Sequence, residues 1–143
     1  INDRLDVAIA ARADGVHLGQ DDLPVNEARR IAPDLIIGAS SHNTAEAVRA
    51  EKFGASYVNI GPVFPTGTKA WKGRFLGLRG VKRISRHISI PFTVMGGIKK
   101  SHIPDLVRAG AQTVAVVTAI TQARDPEAAA RELIKEIRAA QAS

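Results

Sequence analysis

Short runs of apolar and β-branched residues alternate with longer amphipathic stretches from one end of this 143-residue chain to the other, and that alternation restricts the fold more than any other feature. Strands are expected at Val16–Leu18, Leu35–Ala39, Tyr57–Ile60, Phe92–Met95 and Thr113–Val117, with Ile1 as the tail of another. Several look too continuously apolar for a strand with one wet face. Helices are expected between them at Leu5–Ala13, Pro24–Ile31, Thr44–Lys52 capped by Asn43, Leu78–His87, Ile103–Ala109 and Pro126–Ala140 capped by Asp125. The stretches ARADGVHLGQ, EKFGASYVNIGP and VRAGAQTVAVVTA form a weak internal repeat in which a helix ends on small residues and an apolar strand follows.

Strict alternation implies a parallel sheet with right-handed crossovers, either open and doubly wound or closed into a (β/α)8 TIM-type barrel. The two differ in where polar residues collect. Here almost every strand is followed by them: Asn2-Asp3, then Gly19-Gln20-Asp21-Asp22, Ser40-Ser41-His42, the GPVFPTGTK segment at residues 61–69, Gly96-Gly97 and Thr118. That distribution favours the barrel. Six strand positions are visible and a complete barrel takes ~250 residues, so residues 1–143 are expected to be a single α/β barrel domain holding roughly its last six βα units, strands 3 to 8, with about two units missing before Ile1.

Composition narrows the partners. A net charge of +6 raises the expectation of anionic ligands, yet only 4% of residues are aromatic and the basic residues are scattered, so no nucleic-acid surface is expected. No 18-residue apolar run exists, so no membrane span is expected. The absence of cysteine removes disulfides and thiolate metal sites and agrees with a reducing, cytoplasmic setting.

Asp3 and Asp22 follow neighbouring strands, where two carboxylates can face one hard cation such as Mg2+. Each is equally well placed to cap the helix after it. Gly96-Gly97 is either a tight turn or a backbone anion site, and Val117-Thr118 adds donors after the last strand. In the 61–69 segment, hydroxyls, free N–H groups and the Lys69 ammonium are the groups assembled around phosphate oxygens, whereas a merely solvated loop would also suit its glycines. His17, inside an apolar strand, reads as a satisfied core histidine. His42 could work as an acid or base, and His87 and His102 read as helix-end surface residues.

Taken together, INDR, GVHLGQDDLPV, IIGASSH, GASYVNIGPVFPTGTK, LGLRGV, ISIPF with MGGI, and AGAQTVAVVTAI resemble the thiamine phosphate synthase family in order and spacing, over essentially the whole chain. The resemblance implies a TIM-type barrel transferase that joins hydroxymethylpyrimidine diphosphate to thiazole phosphate with Mg2+, releasing pyrophosphate. It implies that Asp3 and Asp22 hold Mg2+, that Asn2 supports the pyrimidine diphosphate, and that Ser40 and Lys69 act on the leaving pyrophosphate as the catalytic pair. Thr66, Thr68, Gly97, Val117 and Thr118 would hold the thiazole phosphate. The expected partners are these small phosphorylated molecules, with room for a homo-oligomer.

The chain departs from the family in three respects. The Gln/Arg/Lys cluster of the family's first two strands has no counterpart, Thr118 stands where serine is common, and Lys99-Lys100 stand where the family often has a threonine and a polar residue. Two alternatives accompany the resemblance: a thiazole tautomerase-like enzyme using His42, and a non-catalytic phosphate-binding barrel fragment.

Overall fold

The computed structural model describes residues 1–68 and 70–142. Its strands are β1 (Gly15–Leu18), β2 (Ile36–Ser41), β3 (Tyr57–Ile60), β4 (Phe92–Met95) and β5 (Thr113–Ala115), forming one five-stranded sheet in the order β1-β2-β3-β4-β5. The pairings β1–β2, β2–β3 and β4–β5 are all parallel. The helices are α1 (Leu5–Ala10), α2 (Val25–Ile31), α3 (Thr44–Lys52), α4 (Gly77–Ser85), α5 (Ile103–Arg108), α6 (Thr118–Thr121) and α7 (Pro126–Gln141), so the βα alternation expected from the sequence is realised. The chain divides into two compact units, Ile1–Ile60 with Arg83–Phe92, and Gly61–Lys82 with Thr93–Ser143.

In the first unit, strand periodicity sorts the sheet into two unlike faces. Val16, Leu18, Ile37, Ala39, Val58 and Ile60 point to one side and are buried. Leu5, Ala8 and Ala28 of α1 and α2, with Ala32, join three members of that row, Val16, Leu18 and Ile37, in one cluster. Burying an Ile or Leu fully contributes roughly 1.5–3 kcal/mol, so this face holds the unit together. The intervening positions, His17, Gly38, Ser40, Tyr57 and Asn59, make the other face polar. These strands are therefore less uniformly apolar in effect than their composition suggests. The segment before α1 extends the sheet: Asn2 bridges His17 in parallel, with His17 N donating to Ile1 O at 2.9 Å and Asp3 N to His17 O at 2.8 Å.

In the second unit, Val94, Ile98, Ile103, Leu106, Ala111 and Leu133 are buried, and α5 packs on α7. Helix α7 starts as expected, Asp125 Oδ1 accepting from Ala128 N at 2.9 Å with Pro126 in the first turn. The expected Asn43 cap of α3 is also present, its Oδ1 accepting from Glu46 N at 2.9 Å.

Several boundaries differ from expectation for local reasons. Helix α1 stops at Ala10 instead of Ala13 because Arg12 adopts φ +51, outside the right-handed helical region. Strand β2 runs on to Ser41, whose hydroxyl donates to Asn59 O at 3.2 Å. Strand β5 stops at Ala115, and Val117 instead precedes the unexpected short helix α6.

Candidate functional site

The polar face of the first unit gathers most of its expected site residues around His17. The imidazole is half-buried and bonded at both nitrogens, Nδ1 to the Tyr57 hydroxyl at 2.9 Å and Nε2 to Ser40 Oγ at 3.0 Å. Burial holds its pKa below the usual 6.5, while the charges of Asp3 and Asp22 pull the other way. Both carboxylates therefore act on one imidazole. Ser40 is gripped a second time through its carbonyl, which accepts from Gln20 Nε2 at 2.5 Å, and Gln20 is itself held by Arg49 at 2.9 Å.

Neither aspartate caps a helix. Arg4 and Pro24 occupy the capping positions of α1 and α2, without side-chain bonds there. Asp3 instead accepts from Asn2 Nδ2 at 2.7 Å and sits at φ +64, a left-handed conformation that costs a residue with a Cβ about 1–2 kcal/mol. Asp22 Oδ2 accepts from Gly19 N at 2.6 Å, and a Cβ on Gly19 would lie 2.9 Å from that oxygen. No group of three or more His, Cys, Asp or Glu side chains able to hold a metal occurs among the described residues. A cavity of about 420 Å³ beside Asp22 is lined by Leu18, Ala39, Arg49 and Phe53, and two of those, Leu18 and Ala39, belong to the apolar side of the sheet.

His42 is tied to the start of α3 by Glu46, whose Oε2 accepts from His42 N at 2.8 Å and pairs with Nδ1 at 2.9 Å. Asn59, in register with Ser40, is 3% exposed and its Oδ1 is the one buried side-chain polar atom without a partner among the described residues.

In the second unit, the chain after β3 lies along the end of β4: Val63 N donates to Met95 O at 2.8 Å and Phe64 N to Gly96 O at 2.9 Å. This approach explains the paired glycines. Both have positive φ, +100 and +63, and a Cβ on Gly97 would come within 2.7 Å of Phe64 O while overlapping Pro65 O. Beyond Pro65, Thr66 Oγ1 accepts from Thr68 N at 3.2 Å and bonds Thr68 Oγ1 at 3.2 Å. Lys69 lies outside the described residues. Because β4 and β5 are parallel neighbours, Gly97 and Val117-Thr118 both follow the carboxyl ends of adjacent strands.

Comparison with known proteins decides the family. The sequence profile described as thiamine monophosphate synthase matches residues 1–120. The chain belongs to the thiamine monophosphate synthase family. It is similar to the thiamine-phosphate synthase of Chloroflexus aurantiacus, 48% identical over 133 residues, covering 93% of this chain and 62% of that protein. The counterpart from Methanoculleus marisnigri is 51% identical over 143 residues, covering 99% of this chain and 68% of that one. Among solved structures, thiamine phosphate pyrophosphorylase from Pyrococcus furiosus superposes with a TM-score of 0.89 at 42% identity, over 97% of this chain and 66% of the other. The chain thus spans somewhat under two thirds of the Chloroflexus relative's length.

Among the residues of the synthase family pattern, the structure bonds Ser40 to the His17 imidazole, on which the charges of Asp3 and Asp22 also act, and joins Asn2 to Asp3 and Thr66 to Thr68. Sequence reasoning missed what His17 touches. Its partners follow only from the strand register of the folded sheet, which aligns His17, Gly38 and Tyr57 on one rung. His102 stands at a helix end and is partly exposed, as expected, and in addition its ring packs on Phe64 with centroids 4.0 Å apart and its Nδ1 accepts from Lys99 N at 3.1 Å. Lys100 pairs with Glu132 at 3.0 Å on the surface, which gives that departure from the family a structural role. No helix of the described residues is long and apolar enough to cross a membrane.

Proposed function

We propose that the chain carries the chemistry of a Mg2+-dependent thiamine phosphate synthase, coupling hydroxymethylpyrimidine diphosphate to thiazole phosphate and releasing pyrophosphate, on residues that form the later part of a TIM-type barrel. The observation that carries this reading is that Ser40 Oγ bonds the His17 imidazole on which the charges of Asp3 and Asp22 also act, with neither carboxylate employed as a helix cap.

Two exposed or half-exposed carboxylates fit Mg2+, which takes one or two protein carboxylates and completes its shell with waters and phosphate oxygens. Asp3 and Asp22 would hold the cation, which would supply positive charge to offset that developing on the departing pyrophosphate. Asn2 orients Asp3, and the Ser40 hydroxyl and Lys69 ammonium donate to the same leaving group. The pyrimidine carbon left behind is stabilised by its amino group, so carbon–nitrogen bond formation needs the thiazole nitrogen held near it rather than a general base. Thr66, Thr68, Gly97, Val117 and Thr118 hold the thiazole phosphate in this reading.

The His42–Glu46 pair is accounted for by the start of α3, so the tautomerase alternative draws no support from it. The deciding assay incubates the chain with both substrates and Mg2+ and measures thiamine phosphate. Lys69→Ala is expected to lower turnover by about 10²-fold, the scale of losing one donor to a developing anion. Asp3→Gly is expected to lose Mg2+-dependent turnover while melting no lower, because glycine relieves the left-handed strain. Normal coupling in Lys69→Ala, or product formed equally well with a chelator present, would overturn the mechanism.

A further inference from the structure

Three strands contribute one residue each to a single rung of the polar face: His17 on β1, Gly38 on β2 and Tyr57 on β3. The middle position is bare. A Cβ on Gly38 would lie within 2.5 Å of Tyr57 Cε1 and overlap the end of the phenol, so the ring occupies the space that any other residue at 38 would fill. The phenol thereby crosses β2 and reaches His17 Nδ1 at 2.9 Å, the two rings tilted by 35° with centroids 5.6 Å apart. On the other edge of the imidazole, Nε2 meets Ser40 Oγ at 3.0 Å.

A neutral imidazole carries one N–H, so this chain of three groups has two proton arrangements. In one, Tyr57 O–H donates to Nδ1 and Nε2–H donates to Ser40 Oγ. In the other, Ser40 O–H donates to Nε2 and Nδ1–H donates to Tyr57. The first is chemically favoured. A phenol, with a pKa of about 10, is far more acidic than an aliphatic alcohol and so the better donor, and its ring-delocalised lone pairs make it the poorer acceptor. Burial raises the pKa of the phenol, which therefore keeps its proton to donate.

The arrangement determines what Ser40 can offer a third partner. If Ser40 spends its proton on Nε2, only lone pairs remain, and these repel an anion. If it receives Nε2–H, its proton is left to donate. We propose that Tyr57, acting through His17 across the gap at Gly38, sets the Nε2–H tautomer and so fixes the Ser40 hydroxyl as a donor toward a phosphate oxygen. Tyr57 and His17 are then positioning residues. The identity of the anion as leaving pyrophosphate rests on the function proposed above, but the tautomer does not. Gln20, bonded to the Ser40 carbonyl, holds the backbone while the proton is oriented.

The test reads the tautomer directly. In ¹⁵N-labelled chain at about pH 8, where an unperturbed histidine is neutral, the His17 resonances should show a protonated Nε2 and an unprotonated Nδ1. The reverse pattern overturns the proposal, and no variant is needed to see it. Tyr57→Phe keeps the ring and removes the donor, so a mixture of tautomers is expected, and an unchanged Nε2–H form again overturns it. Inorganic pyrophosphate with Mg2+, titrated against both proteins, should bind roughly tenfold more weakly to Tyr57→Phe, the loss of about one hydrogen bond to a charged group. Equal affinity would overturn it. Absent coupling activity beside the expected tautomer and pyrophosphate binding would count against the proposed reaction alone.

Discussion

A half-buried imidazole that feels the charge of two carboxylates has opposing demands on its own charge, and in His17 burial prevails. The consequence for stability has a definite sign. The unfolded chain takes up a proton on this residue near pH 6.5, whereas the folded chain resists until lower pH, so between those values the unfolded state binds more protons. The His17 contribution to stability is therefore intact above pH 6.5 and is lost as pH falls below it. Melting curves recorded with a chelator at intervals from roughly pH 5 to 8 should show a steeper acid-side decline in the wild type than in His17→Gln. Parallel curves for the two would contradict the assignment. None of this was legible in the sequence, because His17 between Val16 and Leu18 looks like any core histidine until the register supplies Tyr57 and Ser40 as partners. Asp3 and Asp22 were legible as a pair but not as uncapped, since capping depends on where the next helix starts to within one residue.

At the level of elements, strands β3 and β4 begin and end where the sequence places them, because their runs are bounded by small or helix-breaking residues on both sides, Ser56 and Gly61, Pro91 and Gly96. Helix ends were read too long at Ala13, His87 and Ala109, where the apolar period continues past the point at which the backbone turns. The four residues of α6 lack the length for any periodic signal. The glycines were harder still. Gly67 and Gly97 look alike in sequence, yet a Cβ on Gly67 meets nothing within 4 Å while one on Gly97 meets the 64–65 backbone at positive φ. Gly67→Ala is therefore expected to stabilise the chain by about 0.4–1 kcal/mol, through a less flexible unfolded state. Gly97→Ala should destabilise by more than that, at least the ~1–3 kcal/mol of a strained backbone. Urea titrations giving the same sign for both would show that the two turns do not differ as described.

The molecule as a whole carries +6, and in the proposed reaction both substrates are anions. Attraction at long range shortens the search for the site and is screened by salt, with a Debye length falling from ~30 Å at 0.01 M to ~8 Å at 0.15 M. Raising ionic strength over that interval is expected to lower kcat/KM by roughly three- to tenfold, on the scale of moderate electrostatic steering. Stopped-time assays in chloride salts at fixed free Mg2+ would measure it, and a flat dependence would confine the charge effects to direct contacts.

The pairing of residues 63–64 with Met95 and Gly96 also sets an order of events when the chain is made. The segment is synthesised before its hydrogen-bonding partners have been joined to the chain. At ~5–20 residues per second, the roughly thirty intervening residues take on the order of 2–6 s to add. Throughout that interval Val63 and Phe64 have no β4 to lie against, so the threonine-bearing turn that follows them is organised late in biosynthesis, after the sheet of the first unit already has its first three strands.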